Sequence, residues 1–283
     1  MAITAAMVRE LREKTGAAMM DCKKALAATD GDLEAAIDHL RKAGLKTAAK
    51  KEGRETTEGR VAAKVSDDLR SGSIVSVACE TDFVANTEDF GTLMSDLTEI
   101  AVTSDLAAGN GAAALLTSKH MNGSSVEEHL KQVIGKLGEN IQVAGAARFS
   151  TSDGYVGSYV HHNHKIGALA AVKTDASPDD AATVLKQLCQ HIVNAKPAYL
   201  TRDQVPADEV ERERAVFAES EDVKKKPEEF RDKIIDGKLN KFFAEKCLVE
   251  QGWVFDDKQA VAKAIEGALG KGATIEFFSF HAV

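Results

Sequence analysis

One order of elements is written twice along this chain. Residues 61–65 and 74–79 alternate apolar and polar positions with the period of a strand, and the second run ends at Thr81-Asp82. Residues 155–161 and 166–172 do the same and end at Thr174-Asp175. Each Thr-Asp leads into a helical stripe, Phe90, Leu93, Met94, Leu97 and Ile100 in the first copy and Val184, Leu185, Leu188, Ile192 and Val193 in the second. Two strands, a turn and an amphipathic helix, repeated, predict two related α+β halves. Residues 144–149 read as a further strand opening the second half, and residues 275–280 as a strand closing its sheet. A Gly/Ala-rich break at 107–114 and a helical pattern at 126–137 complete the first half.

The copies differ at one position. Phe83 follows the first Thr-Asp, and Ala176 holds the matching place in the second. A large apolar side chain on a turn either folds back into the core or is offered to a partner. Because the second half does without an aromatic there, the fold does not demand one. The comparison favours contact.

Other segments flank the repeat. Thr4 can cap a first helix with Val8 and Leu11 on one face and Gly16 ending it; a middle helix covers 23–28; Asp32 caps a third, where Leu33, Ile37 and Leu40 recur before Gly44. Such a three-helix module has a thin core. Its first connection carries Met19 and Met20, which either fill that core or form an adaptable contact patch. Residues 46–60 are charged, lack apolar periodicity and read as a linker. Residues 206–246 read as an antiparallel helical hairpin with a thin seam of Val210, Phe217, Phe230 and Ile234. It is either a solvated arm or a protein-binding or self-association arm. The expected division is therefore 1–54, 55–141, 142–205 with 247–283, and the inserted hairpin 206–246.

Chemistry is scarce. A net charge of −8 argues against wholesale binding to a nucleic-acid backbone, since that requires an excess of Lys and Arg. Cys22, Cys79, Cys189 and Cys247 are scattered without metal-ligand spacing and read as reduced thiols. The first ten residues meet charges before any secretory apolar run, and no apolar stretch is long enough to span a bilayer, so a cytoplasmic protein with no membrane contact is expected. No catalytic signature for hydrolase, zinc peptidase or dinucleotide chemistry is present. Gly267 to Gly272 lacks the spacing of a phosphate loop and reads as a turn. His161-His162-Asn163-His164 reads as a polar hairpin tip rather than a metal site, because strand alternation turns neighbours to opposite faces. Neither cofactor nor metal is expected, and an enzyme is not.

Two long segments carry a resemblance: 11–26, Leu-Arg-Glu-Lys-Thr-Gly-Ala-Ala-Met-Met-Asp-Cys-Lys-Lys-Ala-Leu, and 79–86, Cys-Glu-Thr-Asp-Phe-Val-Ala-Asn. Both resemble the signature segments of the bacterial elongation factor Ts family. Residues 136–141, 157–161 and Lys196-Pro197 match further motifs in the same order. The resemblance implies an N-terminal ubiquitin-associated-like module, two related α+β core subdomains and an inserted helical hairpin. It implies binding to the GTPase elongation factor Tu and release of GDP from it, with no covalent chemistry. Asp82 and Phe83, with Thr81 and Val84 around them, would reach the magnesium and phosphate region of the GTPase. Met19, Met20 and Lys23, then Leu137, Gly138 and His161, then Val254 and Phe255 match further contact positions. The sequence departs from the family pattern at Ser76 and Ala78, where Glu and Asn are usual, and at Ala18, where Gly is usual. It also ends at Val283, where some members carry another helix that touches the GTPase. The alternative is an adaptor that binds other proteins without acting on nucleotide, and homodimerisation through the arm is a further expectation left open.

Overall fold

The computed structural model describes residues 2–106 and 111–283. Three helices open it: α1 (Ala5–Thr15), α2 (Met19–Ala28) and α3 (Leu33–Lys51). Thr4 caps α1 by accepting the Met7 N–H, Gly16 ends it at φ 63°, and Asp32 caps α3 through the Ala35 N–H. Their core holds Val8, Leu11, Cys22, Ala25, Leu26 and Ala36. Two expectations are corrected here. Gly44 does not end the third helix, which runs on to Lys51 and absorbs the start of the expected linker. The two helices pass closely at this point, and it is Gly135 on the facing helix that the approach requires: a Cβ there would come within 2.6 Å of the Gly44 Cα, whereas one on Gly44 would meet only an ordinary contact at 3.8 Å.

The rest is mixed helix and sheet, an α+β arrangement. Strands β1 (Glu58–Val65) and β2 (Ser71–Cys79) are followed by α4 (Asp82–Ala85), α5 (Glu88–Thr103), α6 (Gly111–Thr117), α7 (Val126–Leu137) and β3 (Ile141–Ser150). Of the break expected at 107–114, residues 107–110 lie outside the described residues. Then come β4 (Gly154–Val160), β5 (Ile166–Lys173) and α8 (Pro178–Ala195). The hairpin follows as α9 (Ala207–Glu219), α10 (Glu221–Lys224) and α11 (Glu228–Lys246); β6 (Gly252–Trp253), β7 (Asp256–Ala260), α12 (Val261–Leu269) and β8 (Thr274–Ala282) end the chain. Two antiparallel sheets have the orders β1-β2-β3 and β4-β5-β8, and β6 pairs with β7.

The strand expected to open the second half therefore belongs to the first sheet, where Ser71 to Cys79 pair with Ser150 to Ile141. Proximity to β4 in sequence misled, because a central strand needs a partner on both edges and β2 takes β3 for the second. The sheets stack face to face. Val75, Val77 and Cys79 face the core under α5 and α7, whereas Ile74 faces Val156, Leu169 and Ala171 of the other sheet. In β5, Ala168, Ala170 and Val172 face α8 and α12 while Leu169 and Ala171 face inward. Period-two alternation thus builds a helix, sheet, sheet, helix stack. Phe149 and Phe277 stack across the seam with ring centroids 4.8 Å apart.

The hairpin's seam also differs from expectation. Ile235, Leu239 and Phe242 are its buried residues on α11, with Val223 opposite, while Phe230 is half exposed. Spacings of four and three residues put Ile235, Leu239 and Phe242 on one helical face, and Phe230 falls off that stripe. Among the described residues no helix is long and apolar enough to cross a membrane.

Candidate functional site

Thr81 organises the turn after β2. Its hydroxyl accepts the Val84 N–H at 3.3 Å, capping the four-residue α4, and donates to Glu139 Oε1 at 2.6 Å. Its own N–H donates to Glu139 Oε2 at 3.0 Å, so one carboxylate grips both donors of the residue before Asp82. Glu80 reciprocates. It accepts the Asn140 N–H at 2.7 Å, which holds its carboxyl below the usual carboxylate range, and it pairs with Arg54. Asn140 in turn donates its side-chain N–H to the Arg54 carbonyl at 2.7 Å.

Local helix geometry then sorts the next three side chains. Val84 and Ala85 are buried in the first core, and Phe83 between the clamp and that core is 82% exposed. Asn86 closes the turn by donating to the Asp82 carbonyl at 2.8 Å and accepting from Arg60 at 2.7 Å. Phe83 is therefore an exposed aromatic on a turn fixed at both ends. Leu137 and Gly138 end α7 immediately before Glu139, with Gly138 at φ 75° as its cap, so the carboxylate clamp brings 137–138 and 81–84 together.

The other expected residues stand on separate elements. Met19 and Met20 begin α2, at 58% and 59% exposure, and Lys23 is exposed one turn on. Neither methionine fills the module's core. Their sequence neighbours Ala17, Ala18 and Asp21, with Lys14 and Lys136, line a cleft between the module and α7 that neither methionine enters. Val254 and Phe255 form the tip between β6 and β7, both exposed. Buried His191 on α8 supports that tip: its Nδ1 accepts the Val254 N–H at 3.3 Å, its Nε2 faces Gln251 Oε1 at 3.0 Å, and its ring stacks on Trp253. Burial lowers the His191 pKa, keeping the ring neutral for this role. His161 follows β4 directly, the strand ending at Val160, one residue short of the end expected at 161; its Nδ1 is 2.9 Å from the Tyr159 hydroxyl and its ring lies against His162.

Three of the cysteine thiols are held protonated by burial. Burial, with the charge of Glu139, pushes the Cys79 thiol up to about 11, and burial pushes Cys247 to about 11 and Cys189 higher still. Sequence reading missed the clamp from Glu139 and the supports from Asn140 and His191. Glu139 lies 58 residues from Thr81, and His191 lies 63 from Val254, so no local spacing signals either pair. It also left Met121 and Val216 unassigned, though both are exposed.

A model of the family described as Elongation factor TS matches residues 80–282. Relatives named Elongation factor Ts include one from Clostridium perfringens (strain 13 / Type A), 41% identical over 264 residues that span 93% of this chain and 86% of the relative. Another, from Nautilia profundicola, is 40% identical over 288 residues, spanning 99% and 92%; one from Prosthecochloris aestuarii is 36% identical over 279 residues, spanning 98% and 96%. With the family model matching well over half of the chain and relatives aligned over 93% to 99% of it, this chain belongs to the elongation factor Ts family.

Proposed function

We propose that this chain is a guanine-nucleotide exchange factor for elongation factor Tu, releasing GDP by binding rather than by covalent chemistry. The observation that carries the reading is Phe83, 82% exposed on a turn that Glu139 and Asn86 hold rigid. A rigid exposed aromatic enters a partner with little further loss of conformational freedom. Among the described residues eight large hydrophobics are exposed, and five of them, Met19, Met20, Phe83, Val254 and Phe255, are positions the family resemblance had already assigned to the GTPase. Asp82 and Phe83 are the residues that act at the magnesium and phosphate region; Thr81 and Val84 hold them. Met19, Met20, Lys23, Leu137, Gly138, His161, Val254 and Phe255 hold the rest of the partner.

Magnitudes divide the labour. Burying one Phe is worth about 1.5 to 3 kcal/mol, and each tenfold loss of nucleotide affinity takes about 1.4 kcal/mol of negative coupling. Phe83 alone accounts for about one to two decades. Stronger displacement draws on the remote contacts, which favour the open GTPase over the closed one. On this reading the N-terminal helices are a ubiquitin-associated-like module, the two sheets with their helices are related subdomains, and the protein works in the cytoplasm. Homodimerisation through the hairpin remains part of the proposal, supported by exposed Val216 and Phe230.

Mixing the chain with elongation factor Tu loaded with fluorescent GDP tests the reading. Accelerated release on addition of excess unlabelled GDP is expected; a complex that forms without accelerating release would establish the adaptor instead.

A further inference from the structure

Asp96 on α5, His120 in the loop after α6 and His129 on α7 each present a ligand-type atom, and these atoms lie within 4.8 Å of one another. Two of the donors are stranded. His120 Nε2 and His129 Nδ1 are buried and make no hydrogen bond among the described residues. His120 is 7% exposed, and its Nε2 stands 3.6 Å from Asp96 Oδ2, beyond hydrogen-bond range. A buried polar atom without a partner costs about 1 to 3 kcal/mol, so two beside a carboxylate call for an occupant.

We propose that Asp96, His120 and His129 bind a divalent transition-metal ion of the zinc class. Two imidazoles and one carboxylate suit Zn²⁺, whereas Mg²⁺ and Ca²⁺ take oxygen ligands and are disfavoured. Three protein ligands leave a fourth position for water. A cleft that His120 helps to line, with Glu99, Asp105 and Lys119, opens to solvent; Glu99 there is already paired with Lys64.

The backbone around His120 is already fixed. Its N–H donates to the Ser124 carbonyl at 2.8 Å, its carbonyl accepts from Gly123 at 2.9 Å, and its Nδ1 accepts the Asn122 N–H at 3.2 Å. The last bond puts the neutral ring's proton on Nε2, so metal binding expels that proton or moves it to Nδ1 at the expense of the Asn122 contact. The rings stack at 3.9 Å with 15° between their planes, and bonds of about 2.0–2.1 Å to one tetrahedral ion bring ligand atoms to roughly 3.4 Å. The rings must therefore splay as the ion enters. Once bound, it staples α5, the loop at 118–125 and α7, the helix that leads into Glu139.

The test is calorimetric titration of Zn²⁺ into the metal-stripped full chain, paired with thermal unfolding. One Zn²⁺ per chain is expected, with a raised Tm and no response to Mg²⁺. His129→Ala and the shape-conserving Asp96→Asn should each weaken binding by more than about tenfold, while His162→Ala, in the exposed histidine turn, leaves it unchanged. No uptake by the wild-type chain, uptake that survives both variants, or uptake lost in His162→Ala would overturn the site. Because no nucleotide assay enters, the outcome stands apart from the exchange reading.

Discussion

The two strand ends that carry Thr-Asp are built from the same pair of residues and put them to opposite uses. After β5, Thr174 is buried, its hydroxyl donates to the Leu269 carbonyl at 3.0 Å and accepts the Ala176 N–H at 3.1 Å, and Tyr155 donates to the Ala176 carbonyl at 3.3 Å. Ser177 then caps α8 directly. Thr174 points inward there and ties β5 to α12. After β2, Thr81 instead hands its donors to a carboxylate from α7's end, and the four-residue α4 turns Phe83 out while sinking Val84 and Ala85. The central strand of each sheet needs its end closed. Only the first end is closed in a way that leaves a side chain on display.

That contrast yields graded expectations for stability. The largest concerns the seam between the two sheets, where His281 of β8 faces Ser76 of β2 through Nδ1 at 3.0 Å and Ser279 through Nε2 at 3.0 Å. Burial lowers its pKa from 6.5 to about 4. The native state therefore refuses a proton that the unfolded chain accepts: stability is full above pH 6.5 and falls as pH drops from there towards 4. The loss is about 3 kcal/mol from this residue, at 1.36 kcal/mol per pKa unit. Denaturant unfolding across that range should show the decline, and His281→Gln should flatten it; His129 and His191, also lowered, add the same sign. A flat profile in the wild-type chain would break the claim that the halves are locked through a neutral imidazole.

Next comes Glu139→Ala, which strips both Thr81 donors of their acceptor in the display turn. Water reaches this half-buried site, so about 1 to 2 kcal/mol of stability should be lost, together with slowed GDP release as Phe83 loses its fixed position. Glu139→Gln, retaining one acceptor oxygen, should recover part of the release rate. Thr174→Val is the counterpart in the inward turn. It leaves the Leu269 carbonyl without its donor and should cost about 1 kcal/mol in chemical denaturation, with GDP release at the wild-type rate. Slowed release in that variant would erase the distinction between the two ends.

Much of this was legible in the chain. Alternation gave the strands around 61–65, 74–79 and 166–172, and side-chain and glycine caps gave Thr4, Gly16 and Asp32 their places, because those signals act within a few residues. The absence of an aromatic at Ala176 already suggested that Phe83 is not a core residue. What stayed hidden is long-range. Which sheet residues 141–150 join depends on the open edge of β2, not on the strand's own residues. Gly44 looked like a stop because its helix neighbour across the interface, Gly135, lies far away in sequence. The Glu139 clamp and the His191 support escaped for the same reason, as did the Asp96, His120 and His129 cluster, whose members come from three elements.

The smallest stability effect belongs to Phe83→Ala, since a side chain 82% exposed contributes little to folding, within about 0.5 kcal/mol. It is also the most direct test of the central claim. Stopped-flow release of fluorescent GDP from elongation factor Tu, run at saturating factor, should be about ten to a hundred times slower with Phe83→Ala than with the wild-type chain, while the complex still forms and the melting temperature holds. Release at the wild-type rate would contradict the account, and leave Phe83 an exposed residue without the role its turn is built to give it.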